Sequence, residues 1–282
     1  MTAPPTSRPV SPADIADAEL ESLLDAVYRQ YHYDFRSYAA ASLKRRLVSA
    51  LTYFGCGTVA ALEQQTRRDP QSFTELLQFL TVQVSDLFRD PGYFRAIRET
   101  IVPYLQTYPS LKVWVAGCAT GEEAYSLAIL LHEEGLLGRT QIYATDINPE
   151  SLRAAQDGVY AIDRFAKFSA SYLASGGRAS LADYYTARYG SAMFDRRLKK
   201  AILFSDHSLA TDSVFAEVQL VSCRNVLIYF DRALQERAIG LLREALCRRG
   251  FLGLGSKESL RFSPHAAAFR EAVPEQRIYQ KL

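Results

Sequence analysis

The chain is short of several features that would narrow its class at once. Its four cysteines, Cys56, Cys118, Cys223 and Cys247, are scattered through 282 residues with no C-x-x-C pair. That spacing argues against a disulfide framework and a cysteine-based zinc site, and it points to a reducing, cytoplasmic setting with no metal. No run approaches the roughly 18 consecutive apolar residues that a membrane-spanning helix needs. Residues 1–12 hold no apolar signal core, so the expectation is a protein that is neither secreted nor inserted into a membrane. Charge of one sign is missing as well. The 33 Lys and Arg offset 31 Asp and Glu to leave a formal net charge of +2, a balance that does not favour nucleic acid as a partner.

What is present is enough apolar sequence, 48% of residues, to bury about two domains at roughly 150 residues each. Residues 1–12, with proline at positions 4, 5, 9 and 12, read as a disordered tail. Ser11, Pro12 and Asp14 form a helix start signal. Leu20, Leu23, Leu24, Val27, Tyr28 and Tyr31 then recur at helical spacing, the stripe of an amphipathic helix. Similar stretches at 37–51, 58–65 and 71–80 make 13–90 an α-helical N-terminal domain, followed by a linker helix over 91–109. From about residue 110 to 282 the pattern alternates. Strands at 112–116, 141–145, near Ile202 and Leu220, and at FLGLG are separated by helices, which implies an α/β domain with a mostly parallel sheet. Residues of about 161–200 break that rhythm with a Gly176-Gly177 turn and many aromatics, the mark of an inserted subdomain.

Two strand ends carry the candidate chemistry. VWVAGCATGEEAYSLAILL is a strand, a turn containing Gly117 and Gly121, and a helix, an arrangement that lets a ligand approach backbone amides. It is neither G-x-G-x-x-G nor a P-loop, since Glu122 and Glu123 stand at the helix start, where a phosphate would be repelled. The ligand should carry positive charge nearby. Asp146 ends the next strand, 24 residues after Glu122, where a carboxylate grips the hydroxyls of an adenine nucleotide's ribose. Glycine turns and capping aspartates are common without any ligand. Together, however, the two acids suit S-adenosylmethionine, whose ammonium and sulfonium are cationic, better than a dinucleotide.

Residues 221–231, VSCRNVLIYFD, form a strand ending in Cys-Arg-Asn that runs into a Tyr-Phe-Asp turn. With LTVQVSDLFRD, GCATGEEAYSLAILL, YATDINPESLRAAQDGVY and LGLGSKESL, it resembles the CheR family, chemotaxis methyltransferases that esterify receptor glutamates using S-adenosylmethionine. The similarity runs from about Asp34 to the C-terminus. It implies a class I, Rossmann-like methyltransferase domain with an all-α N-terminal domain and a small inserted β-subdomain. It also implies a cytoplasmic protein-glutamate O-methyltransferase that releases S-adenosylhomocysteine and acts as a monomer on the cytoplasmic helical region of chemoreceptors.

Residue by residue, the resemblance implies cofactor contacts at Gln83, Ser85, Arg89, Gly117, Glu122, Asp146, Ser208, Leu209, Asn225 and Val226. Gln83 and Ser85 stand where the family usually has asparagine and threonine, and Ser208 where it has asparagine. These changes keep hydrogen-bonding chemistry at altered reach. Arg89 and Tyr229 are implied to orient the acceptor carboxylate, and Arg36, Lys44, Arg45 and Arg46 to form a basic face for an acidic receptor bundle. A Rossmann oxidoreductase would need the full glycine fingerprint. A nucleic-acid methyltransferase would need Asp/Asn-Pro-Pro-aromatic where this chain reads RNVLIYF. A non-catalytic module that keeps the fold and binds a partner or senses cofactor remains the third alternative.

Overall fold

The computed structural model describes residues 11–282, so positions 1–10 of the expected tail lie outside the described residues. The chain divides into two compact units. One comprises residues up to Val82 together with Tyr229–Leu234, and the other Gln83–Ile228 with Gln235–Leu282.

In the helical unit, Ser11 and Pro12 belong to structure rather than to a tail. The Ser11 amide and hydroxyl both donate to the Asp14 carboxylate, which closes a 3-10 turn at Pro12–Asp14. The first α-helix, α1 (Asp17–Tyr31), therefore starts later than the Ser11-Pro12 signal suggests. It buries Leu20, Leu23, Leu24 and Val27, the stripe its spacing predicts. The second, α2 (Ala40–Phe54), starts three residues after the expected Ser37. The reason is a local competition for the backbone: Ala39 N–H donates to Tyr229 O at 2.8 Å, and Ser37 O accepts from Asp231 N–H at 2.9 Å. These bonds flank a β-bridge between Tyr38 and Phe230 and keep 37–39 out of the helix. Thr58 caps α3 (Val59–Arg68). Asp69 accepts from the amides of Gln71 and Ser72 to start α4 (Pro70–Leu80) behind its N1 proline, as N-caps do.

The α/β unit opens with α5 (Pro91–Ala96), which passes through a π turn at Ile97–Ile101 into α6 (Val102–Leu105). This is the stretch expected as a linker helix, and the expected boundary near Pro109 needs correction. Phe94, Ile97, Ile101 and Leu105 are fully buried in the same core as the sheet, so the helix belongs to the α/β unit and the division falls at Val82. The remaining order is β1 (Leu111–Ala116), α7 (Glu122–Glu133), β2 (Thr140–Asp146), α8 (Pro149–Asp157), β3 (Val159–Ala161), α9 (Phe165–Ala174), β4 (Tyr185–Arg188), β5 (Ser191–Phe194), α10 (Arg196–Lys200), β6 (Ile202–Asp206), β7 (Val218–Cys223), α11 (Arg232–Ala245), β8 (Leu246–Leu254), β9 (Phe269–Val273) and β10 (Ile278–Lys281).

Among the described residues, seven strands form one sheet in the order β6-β2-β1-β7-β8-β10-β9. β1 runs parallel to β2 and β7, and β6 and β8 extend the parallel part. Only β10 pairs antiparallel, with β8 and β9. Val113, Trp114 and Val115 are all buried, as a strand covered on both faces requires. The strand order reverses between β1 and β7, and in such sheets ligands bind beyond the carboxyl ends at that switch point. The inserted segment builds a separate antiparallel sheet, β3-β5-β4. Its inner residue Phe194 stacks on Tyr125 of α7 at 4.6 Å between centroids, which fixes the insert to the helix that follows the glycine turn.

Candidate cofactor site

The turn after β1 is tied to β2 by two amides. Gly117 and Cys118 N–H both donate to Thr145 O, at 2.8 and 2.9 Å. Gly117 has φ +72°, and a Cβ there would lie 2.5 Å from Val226 Cγ2. Glycine is thus required twice, by its conformation and by the close approach of the loop after β7. The two expected contact residues Gly117 and Val226 do meet. Ala119 also occupies the left-handed region, at φ 47°. Its N–H donates to Asp146 Oδ2 at 2.8 Å, a bond that holds this uncommon conformation in place.

Asp146 is half-buried at the end of β2, and its other oxygen accepts from Asn148 N–H at 3.0 Å. Burial pushes its carboxyl above the ordinary value. The amides of Asn148 and Ala119 oppose that shift, and the neighbouring Asp206 adds to it. Each carboxylate oxygen keeps a second lone pair, so the loop amides orient Asp146 without exhausting it as an acceptor.

Glu122, the first residue of α7, is 0% exposed. Thr120 Oγ donates to one of its oxygens at 2.7 Å, and Arg164 of the insert approaches the other at 2.8 Å. Burial raises its carboxyl, while Thr120, its own backbone and Arg164 pull it down. Ser85 reaches the same neighbourhood through its carbonyl, which accepts from Arg164 at 2.6 Å. Gln83 lies half-buried at the start of this segment.

The loop after β7 is organised by a residue that sequence reasoning left unassigned. Glu258, 4% exposed, accepts from the amides of Asn225, Ile228 and Gly255 at 2.9, 3.3 and 2.6 Å. Asn225 itself is held at φ 60°. Burial raises the Glu258 carboxyl against the pull of these amides. The signal was in the quoted LGLGSKESL run, where an acid follows a strand end, but nothing local marks its partners 30 and 33 residues away. A second buried network lies beside it. The Arg224 side chain, 1% exposed, pairs with Glu123 and Asp90 at 2.8 Å each. It also donates to Arg89 O at 2.9 Å and lies over the Tyr93 ring. Phe88 and Asp90 are both left-handed, at φ 51° and 56°, so Arg89 projects from a backbone held on both sides. Its guanidinium is half-buried and makes no hydrogen bond or ion pair among the described residues.

Other expected residues have different surroundings. Ser208 spends its hydroxyl on the amides of Ala210 and Thr211, and its own amide donates to Asp212, so it caps a local turn after β6. Leu209 beside it is buried. Tyr229 groups with the helical unit, where Arg46 lies over its ring at 5.6 Å, so the α/β unit by itself does not supply it. Of the basic residues, Lys44 pairs with Asp17 at 2.7 Å and Arg36 with Asp34 at 2.8 Å. Arg46 is half-buried, with its pKa lowered by burial. Arg45 alone of the four is both exposed and without a partner among the described residues.

At the switch point the α/β unit therefore presents two buried or half-buried acids, a glycine turn packed against Val226, and loop amides already satisfied by Asp146 and Glu258. That set fits a cationic, phosphate-free adenosine cofactor. No helix is long and apolar enough to cross a membrane, and no group of His, Cys, Asp and Glu that could hold a metal occurs among the described residues.

Comparison with known proteins agrees with this chemistry. Residues 83–274 match the family model described as the CheR methyltransferase SAM-binding domain, and residues 18–81 match its all-alpha domain. A Pseudomonas putida protein, provisionally named the methyltransferase Cher3, is 56% identical over 94% of this chain and 97% of its own length. The chemotaxis protein methyltransferase of Listeria monocytogenes is 28% identical over 83% of this chain and 87% of its own. That of Salmonella typhimurium is 26% identical over 93% and 87%.

Proposed function

Since the chain belongs to the CheR family of S-adenosylmethionine-dependent methyltransferases, we propose that its acceptor is a glutamate side chain on the helical cytoplasmic region of a chemoreceptor or a related signalling protein. The cofactor supplies an electrophilic methyl group on a sulfonium centre. Glu122 would hold its cationic amino-acid end and Asp146 its ribose hydroxyls. Gln83, Ser85, Gly117, Asn225 and Val226 line the approach, and Ser208 and Leu209 fix the turn beside it.

Methyl transfer to a carboxylate is an in-line displacement. The acceptor is already ionised near neutral pH, so the protein has no proton to remove. Its task is to align the carboxylate oxygen and to offset the acceptor's charge. The observation that carries this reading is Arg89. Arg164 and Arg224, the neighbouring cations, are spent on internal acids, whereas the Arg89 guanidinium has no partner among the described residues. An arginine in that condition is a receptor for a planar anion, by charge-assisted and potentially bidentate bonds. On the helical unit, exposed Arg45 supports contact with an acidic helix.

The test is transfer from methyl-labelled S-adenosylmethionine to a purified chemoreceptor cytoplasmic fragment, followed by mild base. The reading predicts label released as methanol, the signature of an ester. Label that survives base, or none on any receptor fragment of the same cell, would contradict it.

A further inference from the structure

Arg164 lies outside every cofactor motif and belongs to the inserted subdomain, at the end of a 3-10 turn, Ile162–Arg164. Its guanidinium nevertheless joins two separate parts of the candidate site. One nitrogen pairs with Glu122 Oε1 at 2.8 Å, and the other donates to Ser85 O at 2.6 Å and lies 3.4 Å from Asp86 Oδ1. The arrangement is buttressed from the insert. Lys167 holds the second Asp86 oxygen at 2.6 Å, and the Phe168 ring lies 4.8 Å below the Arg164 guanidinium. Tyr160 of β3 donates to Thr120 O at 2.6 Å, and the Thr120 hydroxyl in turn donates to Glu122. The insert thus reaches Glu122 by two routes.

We propose that Arg164 is a positioning residue for cofactor binding: by bridging the Glu122 carboxylate and the Ser85 carbonyl, it couples the inserted subdomain to retention of the cofactor's cationic end. This rests on the reading of Glu122 as a cofactor contact. Thr120 takes one of the roughly four acceptor positions of the Glu122 carboxylate, while Oε1 stands at ion-pair distance from Arg164 with no hydrogen bond among the described residues, which leaves room for an ammonium.

A fully buried carboxylate with no counter-charge tends to take up a proton. The titratable and charged groups that face Glu122 are few. Tyr160 and Cys118 are both pushed well up by burial and stay neutral, while Glu123 turns away to Ser222 and Arg224. Arg164 is therefore the positive charge that keeps Glu122 in the form able to accept a cation.

The experiment is calorimetric titration of S-adenosylhomocysteine into the intact protein and its Arg164→Ala and Arg164→Lys variants at two pH values. The alanine variant should bind about tenfold more weakly at pH about 8.5, and the ratio to the intact protein should widen toward pH about 6 as the unpaired Glu122 protonates. Lysine keeps the charge but not the two-armed bridge, so its loss should be smaller and flat across the same range. Equal affinity in the alanine variant would overturn the proposal. So would tighter binding, which would make Arg164 a competitor for Glu122, or a loss that does not change with pH. If alanine prevents folding, the flat, modest loss in the lysine variant becomes the deciding result. An intact protein that fails to bind at either pH would bring down the reading of the cofactor site itself.

Discussion

Arg89 and Arg224 show how two arginines near one loop divide the work. Arg224 is buried, shared between Glu123 and Asp90, and fixes the Arg89 carbonyl; the Arg89 guanidinium has no partner among the described residues. Replacing Arg89 by alanine should lower the turnover of methyl transfer by about a hundredfold or more, while S-adenosylhomocysteine affinity changes only a few-fold. Equal losses in both would make Arg89 mainly a cofactor ligand. Single residues were legible in the sequence where their position is written into local context. Glu122 and Asp146 stand at a helix start and a strand end, where the alternating pattern alone places them. Arg164 was not legible, because its partners Glu122 and Ser85 are distant in sequence, and an arginine in an aromatic-rich insert has no local signature.

Among elements, the loop after β7 depends on one acid. Glu258 accepts from the amides of Asn225, Ile228 and Gly255, and among these Asn225 is a non-glycine residue in the left-handed region. Glu258→Ala should strand these donors and destabilise the protein by about 3 kcal/mol, read as a lower urea midpoint together with weaker cofactor binding. A midpoint unchanged from the intact protein would mean that water replaces the carboxylate. The sign of pH dependence follows from burial. The folded-state carboxyls of Glu258, Glu122 and Asp146 are raised, so each costs stability once pH rises above its unfolded value and is relieved as acid protonates it. Asp86 runs the other way. Burial raises its carboxyl, but Lys167 and Arg164 bring it below the usual value, so its contribution is present above the unfolded value and lost as pH falls through the folded one. Element boundaries were less legible than the elements themselves. The start of α2 was displaced by backbone bonds to residues 229 and 231, and α5 and α6 joined the α/β core because Phe94, Ile97 and Leu105 face it.

For the whole molecule, the alternation of strands and helices, the inserted antiparallel sheet and the helical N-terminal unit were all legible, because each rests on hydrophobic periodicity summed over many residues. The basic face was less so. Composition places Arg36, Lys44, Arg45 and Arg46 close together, but Asp17, Asp25 and Asp34 neutralise part of it and burial removes Arg46. Residue count overstated the available charge. The central claim is that Glu122, at the start of α7, and Asp146, at the end of β2, hold an S-adenosylmethionine-type cofactor. The most direct measurement is calorimetric titration of S-adenosylhomocysteine into the intact protein and its Asp146→Ala variant, with NADH as the control ligand. The account predicts binding to the intact protein, a loss of at least about tenfold in the variant, and no heat with NADH. Equal binding to both proteins, or NADH binding in place of S-adenosylhomocysteine, would contradict it.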